Sequence, residues 1–387
     1  MNIKALVLLG MAHLITDISQ GAVPALLPFF KETLRLSYTS AGVILLAMNI
    51  TSSVIQPAFG YLSDRRPMGW FLPLAPFIAG LGVSISGFVN SYTLLLACIV
   101  LGGLGVASFH PEAFKTAHFF LGSKKAAAFS LVMVGGNLGI ALGPILAIVL
   151  VTSFGLQGTA GFIVPGTFMG VILLLSNSWL TAPARSAFLQ RKQEPKQPLS
   201  KEEILNLATL MGIVTIRAWI QSGLVSYIPF YYIDYLKGDP LHAGKLISTF
   251  LLAGVAGTLF GGPVADRWGH RRFLLITMVM MVPLLVLFYI TGGLVAFFSL
   301  GIAGMLLIST ISVTTVMAQE FLPRHLGMVS GLMVGFAVGM GGIGVTLLGA
   351  VADTWGVPTA MKVIIVLPVL AFLLTLPVKD SPKQKRG

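Results

Sequence analysis

The sequence predicts an all-α membrane protein with twelve transmembrane helices in two pseudo-symmetric six-helix bundles. Three observations lead there. Hydrophobic residues fill 56% of the 387 positions and charged ones only 10%, with a mean hydropathy of +0.90. A soluble core of this length cannot hide so much apolar surface, so lipid must be the solvent for most side chains. The apolar sequence divides into twelve runs of about 20 residues or more, the length that crosses a bilayer as a helix. The chain also repeats itself: GYLSDRR at Gly60–Arg66 returns 202 positions later as GPVADRWGHRR at Gly262–Arg272.

The runs cover residues 5–30, 39–62, 71–90, 93–119, 126–153, 160–181, 205–233, 242–265, 272–292, 294–318, 327–352 and 357–377. Two further matches support the duplication: SLVMVGGNLG at Ser130–Gly139 aligns with SGLMVGFAVG at Ser330–Gly339, and Gln20, Pro28 and Phe29 align with Gln221, Pro229 and Phe230. A parallel repeat in a membrane protein points to a transporter with its site between the halves. The polar stretch Arg185–Glu203 divides the chain into an N-terminal bundle (1–184), a cytoplasmic linker (185–203), a C-terminal bundle (204–378) and a cytoplasmic tail (379–387).

Basic residues set the orientation. Of 25 Lys and Arg, 19 fall on the terminus side, at the chain ends, in loops or, for Lys115, in the last turns of span four; Lys31, Arg35, Lys237, Lys245 and Lys362 fall opposite, and Arg217 lies deep inside a span. The positive-inside rule puts both termini in the cytoplasm, with the chain multi-pass in a prokaryotic inner membrane. The net charge of +12 is then a matter of topology, not of nucleic-acid binding. The single cysteine, Cys98, excludes an intramolecular disulfide. No cleavable signal peptide is evident, because the first apolar stretch runs on to Phe30. No Gly-Lys-Ser/Thr phosphate loop is present and the histidines lack metal-ligand spacing, so an enzyme, ATP-driven transport, a cofactor and a metal are not expected.

Ionisable groups inside spans cost several kcal/mol unless they face water or a partner. His13, Asp17, Gln20 and Gly21, at i, i+4, i+7 and i+8, make one face of span one polar; a hydrogen-bonded brace and a proton or substrate site are both open. Arg217, 200 positions after Asp17, shares a face of span seven with Gln221. It either neutralises an acid or anchors an anionic substrate through its planar fork. His110 and Glu112 lie two apart in span four, with Pro111 between them to kink the helix and bring them into one cavity. The competing reading is a local pair of Glu112 with Lys115. Asn49, Asn137 and Gln319 read as interhelical hydrogen bonders, and Tyr227, Tyr231 and Tyr232 as interfacial anchors.

The loop pattern carried by Gly60, Leu62, Asp64 and Arg65, and again by Gly262, Asp266, Arg267, Gly269, Arg271 and Arg272, resembles the signature of the major facilitator superfamily. Pro67 and Met68 replace part of the first copy's basic tail. Span four, with Gly102-Gly103-Leu104-Gly105 and then Phe109-His110-Pro111-Glu112-Ala113, resembles the fosmidomycin resistance subfamily. Gly139-x-x-x-Gly143-Pro144 is similar to part of the antiporter motif of span five, although Ile145 and Leu146 stand in place of its closing glycines. Ile99 stands where many such antiporters carry an arginine.

The resemblance implies the major facilitator fold, with spans one, four, seven and ten lining the cavity. It implies a gating role for Asp64, Arg65, Asp266, Arg267, Pro111, Gly139, Gly143 and Pro144, with Glu320 and Arg324 as partners of the loop charges. The expected function is proton-coupled efflux, with antibiotic resistance as its outcome, by a monomeric drug/proton antiporter of small anionic or amphiphilic compounds such as phosphonates. Proton coupling falls to Asp17, His110 and Glu112, substrate binding to His13, Gln20, Arg217 and Gln221, and the partners are substrate, protons and membrane lipids. Proton-coupled uptake of an organic anion is the rival direction; a non-transporting sensor or lipid-binding scaffold is the rival class.

Overall fold

A computed structural model describes residues 1–36, 38–66, 68–192, 199–237 and 240–378. Pro67, the centre of the linker (193–198) and the predicted tail (379–387) lie outside the described residues. Twelve spans run in chain order: Ile3–Thr33, Tyr38–Arg65, Phe71–Ser86, Tyr92–His118, Lys125–Phe154, Ile163–Lys192, Lys201–Tyr235, Pro240–Trp268, His270–Ile290, Gly293–Phe321, Leu326–Trp355 and Val357–Thr375. Eleven of these paths hold an apolar stretch long enough to cross a membrane. Span three, at 16 residues, rises only about 24 Å as a helix, because the chain leaves the helix at Gly87 instead of continuing to residue 90.

Three spans depart from a simple helix. Span two slips into a π turn at Ile50–Val54 and resumes at Gln56. Pro57 follows at once and cannot donate to the carbonyl four residues back, so the hydrogen-bond ladder changes register there. Span seven ends in a π turn at Phe230–Tyr235, and span eleven carries one at Leu332–Phe336. The polar segment after span six is partly helical: its helix continues to Lys192, and span seven starts at Lys201 under a capping box formed by Ser200 and Glu203. That reciprocal pair satisfies two otherwise orphaned N–H groups.

Two compact units emerge. One comprises Met1–Ser123, Leu131–Gln197 and Pro323–Phe336; the other comprises Lys124–Ser130, Pro198–Leu322 and Ala337–Gly387. In the first, Ile18, Leu26, Phe30, Ile44, Val83, Ile99, Val106 and Phe162 pack into one core. In the second, Ile220, Leu224, Phe250, Met278, Leu300, Leu307 and Ile364 do the same. Tyr227 and Tyr231 belong to that second core and are not the interfacial anchors their position suggested.

Span five lies against span one through small residues. A Cβ on Gly135 would strike the Gly10 carbonyl, one on Gly136 the His13 ring, and one on Gly139 the Leu14 carbonyl and Asp17 Cβ. Gly143 meets Ile18 and Ala22 in the same way. Lipid supplies no hydrophobic drive between helices, so this close backbone approach supplies van der Waals contact instead. It also leaves room on span one for His13 and Asp17.

Candidate functional site

Three buried side chains converge in the first unit. His13 and Asp17, one turn apart on span one, meet His110 of span four. His13 Nε2 lies 3.2 Å from Asp17 Oδ2, His110 Nε2 lies 3.3 Å from Asp17 Oδ1, and the two Nε2 atoms are 3.1 Å apart. Relative exposures are 2% for His13, 6% for Asp17 and 3% for His110. His13 Nδ1 faces the Val132 carbonyl at 2.8 Å; a carbonyl only accepts, so Nδ1 carries a ring hydrogen and Nε2 is left facing Asp17 and His110. His110 Nδ1 lies 3.0 Å from the Val106 carbonyl and 3.3 Å from Gln56 Nε2. At least one hydrogen, or another cation, must lie among the two Nε2 atoms and the carboxylate for their contacts to be attractive. Asp17 Oδ1 has no hydrogen-bond partner, although His110 stands at ion-pair distance. Phe114 and Phe109 wall the imidazoles, with ring centroids 5.3 and 5.8 Å from His13. Among the described residues these three are the group whose ligand atoms converge as a metal ion requires.

Glu112 belongs to a different cluster. Its carboxylate pairs with Lys115 Nζ at 2.9 Å and accepts a short hydrogen bond from Ser63. Lys115 also donates to the Ser63 carbonyl at 2.8 Å and to its hydroxyl. The helix continues through Pro111, and two residues still turn the side chains to different neighbours, so His110 and Glu112 do not share a cavity. Next to Ser63, Asp64 accepts the backbone N–H groups of Gly327 and Met328 at 3.0 and 2.9 Å. Arg65 is exposed and stacks over Tyr61, 4.3 Å from the ring centroid.

The second unit repeats that arrangement. Asp266 accepts Ala126 N at 3.2 Å and Ala127 N at 2.9 Å, where span five begins. Glu320, named from sequence as a partner of the loop charges, pairs with Lys125 at 2.7 Å. Buried His270 stands 3.3 Å from Asp266 and 3.9 Å from Glu320. Arg267 is exposed. Deeper in span seven, Arg217 is 4% exposed; its Nη1 donates to Gln221 Oε1 at 3.0 Å, and its Nε has no hydrogen-bond partner. Gln20 is half-buried, outside the triad.

Sequence reasoning missed Ser63, Gln56 and His270. The signal for Gln56 was present: Thr51, Ser52, Ser53 and Gln56 interrupt an apolar span with polar groups that prove buried.

The signature loops thus occupy equivalent places in two units of one all-helical membrane chain, and the Major Facilitator Superfamily profile matches residues 9–342 and 236–387. The chain belongs to the Major Facilitator Superfamily. It is 33% identical over 380 residues to the MFS-type transporter YfnC of Bacillus subtilis, covering 97% of this chain and 93% of that one. It is 32% identical over 375 residues to the fosmidomycin resistance protein of Escherichia coli, covering 94% and 90%. Among solved structures, the E. coli fucose:proton symporter FucP superposes with a TM-score of 0.73 at 15% identity, over 96% of this chain and 97% of that one. This superfamily member is a multi-pass transporter of small molecules, in accord with the fold and the subfamily resemblance read from the sequence.

Proposed function

We propose that this transporter is a drug/proton antiporter of a prokaryotic inner membrane, with both termini cytoplasmic. It exports small anionic or amphiphilic compounds of the fosmidomycin-like phosphonate class by alternating access and works as a monomer. The observation that carries the reading is the convergence of His13, Asp17 and His110. Two imidazole nitrogens and a carboxylate within 3.1–3.3 Å, shut away from water, need a hydrogen between them to attract, which makes them a place where a transported proton can be taken up and released. The 32% identical fosmidomycin resistance protein supports the substrate class.

In this reading Asp17 and His110 exchange the coupling proton and His13 orients it. Glu112 provides a second protonation step, with Lys115 as counter-charge. Arg217, whose Nε is unpaired, takes the anionic group of the substrate in bidentate fashion, with Gln221 holding the guanidinium plane; Gln20 is the substrate-binding candidate of span one. Asp64, Arg65, Asp266 and Arg267 gate the cytoplasmic ends, while Pro111, Gly139, Gly143 and Pro144 shape the moving spans. The test is uptake of labelled fosmidomycin into everted membrane vesicles. Accumulation should follow interior acidification and collapse with a protonophore. Accumulation driven by the opposite gradient would mean organic-anion uptake, and none with either gradient would leave the scaffold reading.

A further inference from the structure

We infer that His13, Asp17 and His110 form a binding site for a divalent transition-metal ion, with zinc(II) as the first occupant to test. The coupling reading assigns these residues a proton; the metal site rests on their geometry alone.

Metal–ligand bonds to imidazole nitrogen and carboxylate oxygen are about 2.0–2.2 Å long, which sets neighbouring ligand atoms about 2.9 Å apart in octahedral and about 3.4 Å apart in tetrahedral geometry. The two Nε2 atoms are 3.1 Å apart, and each stands 3.2–3.3 Å from a different oxygen of Asp17; with one oxygen taken from Asp17, the three ligand atoms lie within 4.8 Å of one another. The nearest contacts fall between those limits, so a modest rotation of the Asp17 carboxylate would let an ion sit among the three side chains.

The outer contacts favour the same state. A ligating imidazole needs its far nitrogen protonated and donating to an acceptor that fixes the ring. Val132 O stands 2.8 Å from His13 Nδ1 and Val106 O 3.0 Å from His110 Nδ1; Gln56 Nε2 also stands 3.3 Å from His110 Nδ1, and with Nδ1–H donated to the shorter carbonyl contact both Nε2 lone pairs can point inward. Asp17 supplies one oxygen to each imidazole, and its Oδ1 is buried without a hydrogen-bond partner. No lysine or arginine pairs with any of the three among the described residues, so an incoming dication meets no fixed positive partner.

Two imidazoles and one carboxylate suit zinc, cobalt, nickel and ferrous iron; magnesium and calcium prefer all-oxygen sets. Three protein ligands leave a coordination position for water or a small anion. His13 and Asp17 come from span one and His110 from span four, so a bound ion would clamp the two spans together.

Direct binding to the full-length protein, purified in detergent, chelator-stripped and free of any polyhistidine tag, tests this without substrate or gradient. Cobalt(II) should give visible d–d absorption that saturates at one equivalent per chain. Zinc should displace it with micromolar or tighter affinity, while magnesium should not. His13→Gln and His110→Gln should each weaken zinc binding at least tenfold, and the double variant should abolish it, with circular dichroism and gel-filtration profiles unchanged. If a variant fails to fold, protection of wild-type His110 from diethyl pyrocarbonate by zinc provides the second measurement. Absence of saturable binding, retention of it in the folded double variant, or unprotected His110 would overturn the site. None of these outcomes bears on proton coupling, which fails independently if Asp17→Asn remains gradient-driven in chelator-treated vesicles.

Discussion

The carboxylate of Asp64 caps the backbone of Gly327: Oδ1 accepts the Gly327 N–H at 3.0 Å, and Oδ2 accepts that of Met328 at 2.9 Å. An acid at a helix start satisfies orphan N–H groups and meets the positive end of the helix dipole. A Cβ on Gly60 would collide with the Gly327 carbonyl, so the two backbones pack in direct contact and the cap is held in place.

Losing such a cap costs about 0.5–2 kcal/mol, enough to move a conformational equilibrium several-fold. Asp64→Ala, in a Cys98→Ser background, should raise the rate at which a cysteine at Ser330 reacts with a small thiol reagent, and Asp64→Asn should raise it less. Equal rates in all three proteins would show that the cap does not hold this segment.

Asp17→Asn should abolish gradient-driven transport while substrate exchange persists, because an amide mimics only the protonated carboxyl. Comparing efflux with counterflow in proteoliposomes reads the two separately. Unchanged coupling would remove Asp17 from the proton step.

The fold and much of this site could be read from sequence, for identifiable reasons. The i, i+4 spacing of His13 and Asp17 fixed their shared face, and the duplicated loop located both acid caps. What could not be read depends on contacts across spans. Only the packing of span four on span one selects His110, and not Glu112, as the partner of Asp17. Likewise, the direct seat of span two on the segment after Pro323 follows from Gly60, Gly327 and Gly331 together. Pro111 suggested a kink that would join His110 to Glu112, yet a proline within a packed helix leaves the side chains' angular spacing largely intact.

Arg217→Lys should weaken binding of an anionic substrate about ten- to a hundredfold, the loss of roughly 1.5–3 kcal/mol for a charge-assisted contact. Isothermal calorimetry with fosmidomycin checks this. Full affinity in Lys with loss in Ala would indicate charge balance alone; full affinity in both would move the substrate elsewhere.

A cysteine at Ser186, again without Cys98, should resist an impermeant thiol reagent added outside intact cells and react in permeabilised ones. Labelling from outside would reverse the orientation drawn from the basic residues.

Glu112 and Lys115 are 2% and 9% exposed and paired at 2.9 Å. Removing one partner of a buried pair strands the other and costs about 3–5 kcal/mol, whereas replacing both with neutral groups of similar shape is often close to neutral. Lys115→Met and Glu112→Gln should therefore each lower Tm in detergent, and the double variant should regain most of the loss. In that double variant the amide oxygen that replaces the Glu112 carboxylate still accepts from Ser63, so no hydroxyl is orphaned. His110 lies in the other cluster, so its effect on stability should add to that of Glu112 within a few tenths of a kcal/mol, as for sites with no shared partner. Strong non-additivity between His110→Ala and Glu112→Gln would mean that the two clusters act as one. A double variant no more stable than Lys115→Met would mean that the pair is held by its hydrogen bonds to Ser63 and not by its charge.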